Sequence, residues 1–194
     1  MHRYFIIYKP YQVLSQFTSE EGKQTLKAFF HVPSDVCPVG RLDYDSEGLL
    51  ILTNDASLNH RLLNPSFAHE REYWVQVEGD IHENAINTLQ SGVTININGE
   101  QYRTRTCKAT RFTNTPAVSD RNFLIRFRKE IPASWIKLVL TEGKNRQVRK
   151  MTAQTGFPTL RLIRYRIEGI TLAGLLPGEM REMNKNDIYT HLFG

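Results

Sequence analysis

Four charged side chains, Arg41, Asp43, Asp45 and Glu47, stand between Gly40 and Gly48, just ahead of the apolar run Leu49-Leu50-Ile51-Leu52. Such a run reads as a strand buried on both faces. The flanking glycines permit backbone turns that residues with a side chain resist. The pattern therefore puts carboxylates in a loop at the mouth of a core element, where burial and mutual contact shift their pKa values and suit them to acid, base or nucleophilic work. The same residues would also make a plain polar hairpin before a buried strand, and the stretch alone leaves both readings open.

A second set of reactive side chains lies downstream. Glu142-Gly143-Lys144-Asn145 turns the chain into an expected helix over 146–155. Val148, Met151, Thr152 and Thr155 share one of its faces, Arg146 and Lys150 point away, and Arg149 falls at the border, where it can reach round a core edge to a buried carboxylate. Leu160–Ile167 alternates like a strand and carries Arg161, Arg164 and Arg166. Residues 71–78 (REYWVQVE) alternate too, with Tyr73, Val75 and Val77 on one face. A tyrosine in that phase is ordinarily a core residue.

The elements that must position these groups follow from periodicity and punctuation. Residues 4–8 read as a strand stopped by Lys9-Pro10, Val13–Phe17 as a second extended piece, and Lys23–Phe30 as a short helix. Asn54-Asp55 can cap a helix bearing Leu58, Leu62 and Leu63. A helix is expected near 82–90, then strands at Val93–Ile97, Gln101–Arg111 and Phe123–Lys129, with Asn98-Gly99 as a hairpin turn. Trp135–Thr141 alternates, and a short helix fits 185–193. Hairpins outnumber βαβ units, so the expected class is α+β: a mixed, mainly antiparallel sheet with flanking helices, one domain over 1–194 in two lobes joined near 63–70.

Composition narrows the function. The 194 residues are 40% hydrophobic and 23% charged, as in a soluble globular protein. No apolar run approaches the roughly 20 residues that span a membrane, and the start of the chain does not read as a signal peptide. Cys37 and Cys107 have no CxxC spacing and the six histidines are scattered, so neither a disulfide framework nor a metal site is expected. A reducing, cytoplasmic setting follows. The net charge is +5, with Arg and Lys dense in 103–129 and 144–166 and acids concentrated in 19–55 and 70–83. A basic second half beside an acidic loop suits a protein that holds a polyanion and acts on it.

Three motifs, GRLDYDSEGLLILTND, REYWVQVEG and EGKNRQVRKMTAQTGFPTLRLIRY, stand in this order over residues 40–165. Together with Ile6-Ile7-Tyr8-Lys9-Pro10 and the Leu172–Met183 tail, they closely resemble the RsuA/RluB/RluE/RluF family of ribosomal RNA pseudouridine synthases. Many members begin with a small S4 RNA-binding domain, whereas this chain starts at the first strand of the catalytic domain, so no S4 domain is expected. Ser46 and Ala56 replace the Thr and Gly that many members carry.

The resemblance implies isomerisation of a uridine already in RNA, here bacterial large-subunit (23S) ribosomal RNA, by a monomer without cofactor or metal. The base is cut from its ribose, turned and rejoined through carbon. The resemblance makes Asp43 the catalytic aspartate, Arg149 its ion-pair partner, and Tyr73 the residue that packs on the target base and manages the proton at the new attachment carbon. It makes Arg41 the side chain that fills the gap left by the flipped uridine, a step costing a few kcal/mol. A salt bridge from Arg41 to Asp45 or Glu47 competes with that role. Lys144, Arg146, Lys150, Arg161, Arg164 and Arg166 are candidate phosphate contacts. Two rivals remain at this point: a non-catalytic RNA-binding or ribosome-assembly factor on the same scaffold, and a small-molecule hydrolase using Asp43 and Asp45.

Overall fold

A computed structural model describes residues 1–121 and 132–194. It divides the chain into two units, Met1–His69 with Ile163–Gly194, and Glu70–Leu162. The first division falls at the end of the expected 63–70 stretch, and the second lies inside a strand, where no change of composition marks it. The strand expected at Phe123–Lys129 lies outside the described residues.

The first unit opens with β1 (Tyr4–Lys9), whose six residues are all buried. Two-residue pieces follow, β2 (Val13–Leu14) and β3 (Gln24–Thr25), paired in parallel. Where the spacing of Leu26, Phe29 and Phe30 suggests a helix from Lys23, only a 3-10 turn forms over Leu26–Ala28. Pairing with β2 takes the first half of that segment, and a helix this short is marginal without tertiary support. After β4 (Cys37–Pro38) comes β5 (Glu47–Thr53), buried along its whole length as the apolar run requires. It pairs antiparallel with β1 from Tyr4↔Thr53 to Lys9↔Gly48. Asp55 then caps α1 (Ala56–Leu63), its Oδ1 accepting from the backbone N–H groups of Ser57 and Leu58.

The second unit begins with β6 (Arg71–Glu78) and α2 (Glu83–Gln90), the latter capped by His82. The hairpin β7 (Thr94–Ile97) and β8 (Glu100–Arg103) turns at Asn98-Gly99, both at positive φ (52° and 94°), as a tight hairpin turn demands. The stretch expected as one strand over Gln101–Arg111 breaks, and β9 (Lys108–Arg111) is separate. Competing acceptors explain the break: Thr104 N donates to Val93 O, Arg105 N to Glu142 and Cys107 N to Gln90 O. β10 (Ala133–Leu140) pairs antiparallel with both β6 and β9. α3 (Gln147–Gln154) starts one residue later than expected, because Arg146 adopts a left-handed conformation at φ 51°.

β11 (Thr159–Ile167) places its first four residues in the second unit and its last five in the first. In the first unit it runs parallel to β5, with Ile163 opposite Glu47 and Arg164 opposite Gly48. The short β12 (Ile170–Thr171) folds back on it, β13 (Met180–Met183) pairs antiparallel with β1, and α4 (Lys185–Phe193) closes the chain. The strand order of the first unit is β13-β1-β5-β11, and of the second β6-β10-β9. The class is α+β with mainly antiparallel pairing. Each unit has its own core: Phe5, Ile7, Val13, Leu26, Leu50 and Leu52 in the first, and Val75, Val77, Leu89, Ile136, Leu138 and Met151 among others in the second.

Candidate active site

Asp43 sits in the irregular loop between β4 and β5, half-buried, with Leu42 tucked in before it and Tyr44-Asp45 turning after it. Its carbonyl accepts from Ser46 N at 3.1 Å, closing that turn. Gly48, the second residue of β5, stands at φ +115°, and a Cβ there would lie 2.4 Å from the Arg164 carbonyl oxygen and 2.7 Å from its nitrogen. Only glycine lets β5 and β11 approach so closely directly behind the loop. Of the other charges, Glu47 is 2% exposed within β5 and Asp45 is half-buried. Arg41 is exposed and forms no ion pair or hydrogen bond among the described residues. The salt-bridge alternative for Arg41 therefore has no support here, and its side chain is available to a ligand.

Lys9, at the end of β1, completes the charge set of this unit. It is fully buried, its Nζ donating to Pro10 O at 2.9 Å and Val13 O at 2.7 Å. Burial pushes the Lys9 ammonium down to about 7; Glu47, Asp45 and Asp43 oppose that fall, and Arg164 adds to it. Three carboxylates and the Arg164 guanidinium are thus close enough to act on the Lys9 ammonium. In sequence, Lys9-Pro10 reads only as the end of a strand. A lysine completing a buried strand was the available signal that this charge faces inward and needs partners.

In the second unit, Tyr73 stands on β6 opposite Leu138 and packs, half-buried, on a core that includes Val148 and Met151 of α3. The phase read for Tyr73, Val75 and Val77 is the observed one. Arg149 is half-buried between buried Val148 and half-buried Lys150, the border position expected of it. The approach to α3 is held by Glu142, which is 7% exposed. One of its oxygens accepts from Arg105 N (2.9 Å) and Gln147 Nε2 (2.6 Å), and the other from the Tyr102 hydroxyl. Gln147 Oε1 in turn accepts from Lys144 N at 2.9 Å. Glu142, legible in sequence only as a turn residue, is the hub that shapes the 142–147 turn.

The basic candidates separate by burial. Lys144 and Arg146 are exposed and Lys150 is half-buried, with Lys144 Nζ 4.8 Å from the Tyr102 ring centroid. Arg161 and Arg164 are only 4% and 5% exposed. Arg161 donates to Ser119 O at 2.9 Å and Arg164 Nε to Leu49 O at 2.8 Å. Both are thus covered, their guanidinium groups donating to backbone carbonyls, which leaves Lys144, Arg146 and Lys150 more exposed than either among the candidate phosphate contacts. Arg166 is half-buried and donates to Glu168 O.

The fold defines a class first: an α+β protein of two units, with a half-buried carboxylate in the loop before β5 and exposed Lys144 and Arg146 before α3. Residues 3–154 match the model of the family described as RNA pseudouridylate synthase. The chain is 46% identical over 178 residues to "Ribosomal large subunit pseudouridine synthase E" of Xanthomonas campestris, covering 91% of this chain and 92% of that protein. It is 44% identical over 178 residues to the protein of the same name from Vibrio parahaemolyticus, covering 92% and 72%. Among solved structures, one described as a crystal structure of pseudouridylate synthase superposes with a TM-score of 0.78 at 25% identity, over 99% of this chain and 74% of that one. The chain belongs to the RNA pseudouridylate synthase family and is an isomerase, as its three motifs led one to expect.

Proposed function

We propose that this protein converts a specific uridine of bacterial large-subunit ribosomal RNA to pseudouridine. The observation that carries the reading is the 44–46% identity, over about nine-tenths of the chain, to relatives named for that activity on the large subunit. In this reading the Asp43 carboxylate assists cleavage of the bond between uracil and ribose. Arg149 supplies the counter-charge that keeps a sheltered carboxylate ionised. Tyr73 stacks on the base and handles the proton displaced from the carbon that becomes the new attachment point. Arg41 fills the stack when the uridine leaves it, offsetting part of the cost of flipping. Lys144, Arg146 and Lys150 contact phosphates.

These roles are carried over residue by residue from the family's motifs. The setting of Asp43, half-buried among Lys9 and other charges behind a glycine-limited turn, supports them for the first unit. In this reading, as the family resemblance implies, the reaction moves a bond within one molecule without cofactor or metal. The protein acts as a monomer in the cytoplasm. The test is conversion of uridine to pseudouridine in ribosomal RNA from cells lacking the gene, mapped at nucleotide resolution, with wild type beside Asp43→Asn.

A further inference from the structure

The peptide groups on either side of Asp43 are gripped from a single direction, by residues 12–15. Ser15 is 6% exposed and 27 positions away in sequence, yet its hydroxyl accepts from Leu42 N at 3.0 Å and donates to Leu42 O at 2.8 Å. A hydroxyl can do both at once, and here it holds both backbone groups of the residue just before Asp43. Gln12, at φ 55°, turns its N–H onto the carbonyl of Tyr44, the residue just after, at 2.9 Å. The gripping segment is itself fixed. The Lys9 ammonium binds Pro10 O and Val13 O across its curve, and the Val13 side chain is fully buried in the core of the first unit.

We propose that Ser15 is a positioning residue for Asp43, holding the loop backbone so that the carboxylate is presented in one orientation. This rests on the reading of Asp43 as the catalytic carboxylate. The geometry explains why a loop outside any strand or helix carries a side chain whose placement matters. Residues 41–43 have no ladder to fix them, and Ser15 supplies both hydrogen bonds that a ladder would give Leu42. Misplacing a reacting group by about 1 Å costs on the order of 100-fold in rate while leaving remote binding contacts intact. A clamp of this kind is therefore felt in the chemical step and not in RNA affinity.

The experiment compares wild type, Ser15→Ala and Ser15→Thr in single-turnover reactions on ribosomal RNA, with RNA affinity measured alongside and amide hydrogen exchange followed at Leu42. Ser15→Ala is expected to slow the single-turnover rate by about 10- to 100-fold with affinity within about twofold. Ser15→Thr, which keeps the hydroxyl, recovers most of the rate. In the wild type the Leu42 amide is protected despite lying in a loop, and the protection disappears in Ser15→Ala. An unprotected Leu42 amide in the wild type overturns the proposal without recourse to any variant. So does an active wild type whose rate Ser15→Ala leaves unchanged, or a rate loss matched by an equal loss of affinity. A wild type that forms no pseudouridine overturns the reading of Asp43 and the positioning role with it, so the two failures are distinguishable.

Discussion

Lys9 and Gly48 face each other across β1 and β5, and between them they show what single residues contribute to this loop. A lysine with no exposure would ordinarily be too costly to bury; here two carbonyls and three neighbouring carboxylates offset the loss of hydration, though its ammonium still falls to about 7. Gly48 acts by what it lacks. A Cβ at φ +115° meets the Arg164 backbone at 2.4 Å, and backbone cannot swing aside as a side-chain tip can. Gly48→Ala is therefore expected to destabilise the protein by roughly 2–4 kcal/mol, strain and overpacking together, as read by urea unfolding. A variant within about 0.5 kcal/mol of wild type, the ordinary scatter of surface changes, would contradict the close approach of β5 and β11. In sequence, the glycine was legible as a turn, but the strand that makes it obligatory lies more than a hundred residues later. The place of Asp43 in a loop ahead of a buried strand was legible, because the apolar run of β5 follows it. Ser15 and Gln12 were not, because no periodicity marks a contact between one loop and another.

Among the elements, the buried β5 and the alternating β6, with Tyr73 in phase with Val75 and Val77, came out as read, as did the short helix at 185–193. The segments that departed, 23–30 and 101–111, are those whose backbone groups found partners elsewhere, in β2 and in Val93, Gln90 and Glu142. Tertiary pairing decided them, and it leaves no local trace. One tie between elements carries a pH dependence. Asp55 caps α1 through Oδ1, while its Oδ2 accepts from the hydroxyls of Tyr4 on β1 (2.7 Å) and Tyr189 on α4 (2.8 Å). Burial pushes the Asp55 carboxyl upward, but the two phenols and the two backbone N–H groups outweigh it and hold it below its ordinary value. In return, burial and then Asp55 push the Tyr189 phenol up to about 12. A carboxylate with a depressed folded pKa contributes stability that is present above the unfolded value and lost as pH falls through the folded one. Asp55→Asn should cost about 1–3 kcal/mol at pH 7, since an amide nitrogen cannot accept from a phenol. The gap from wild type should narrow as pH drops below about 4. Denaturant titrations at pH 7 and pH 3 check this, and a gap independent of pH would contradict it.

At the scale of the whole molecule, charge is the property that sequence conveyed best and placed least well. The basic bias of the second half was plain, and it fitted a polyanionic partner. Which basic side chains face water was not plain, because Arg161 and Arg164 fall on opposite faces of β11, yet both are covered. The exposed Lys144 and Arg146 remain the strongest candidates for phosphate contact. Replacing both with Ala should weaken RNA binding across sequences and reduce the slope of log affinity against log salt by about 0.7 for each single-stranded phosphate no longer neutralised. An unchanged slope in a filter-binding titration would remove them from the interface. In the proposed reading these groups serve one carboxylate, Asp43. The most direct measurement is pseudouridine formation in ribosomal RNA by wild type and by Asp43→Asn, at equal RNA occupancy. The wild type is expected to modify one site, and a folded Asp43→Asn protein that still binds the RNA to form no pseudouridine above background. Full conversion by Asp43→Asn would contradict the catalytic role of that carboxylate.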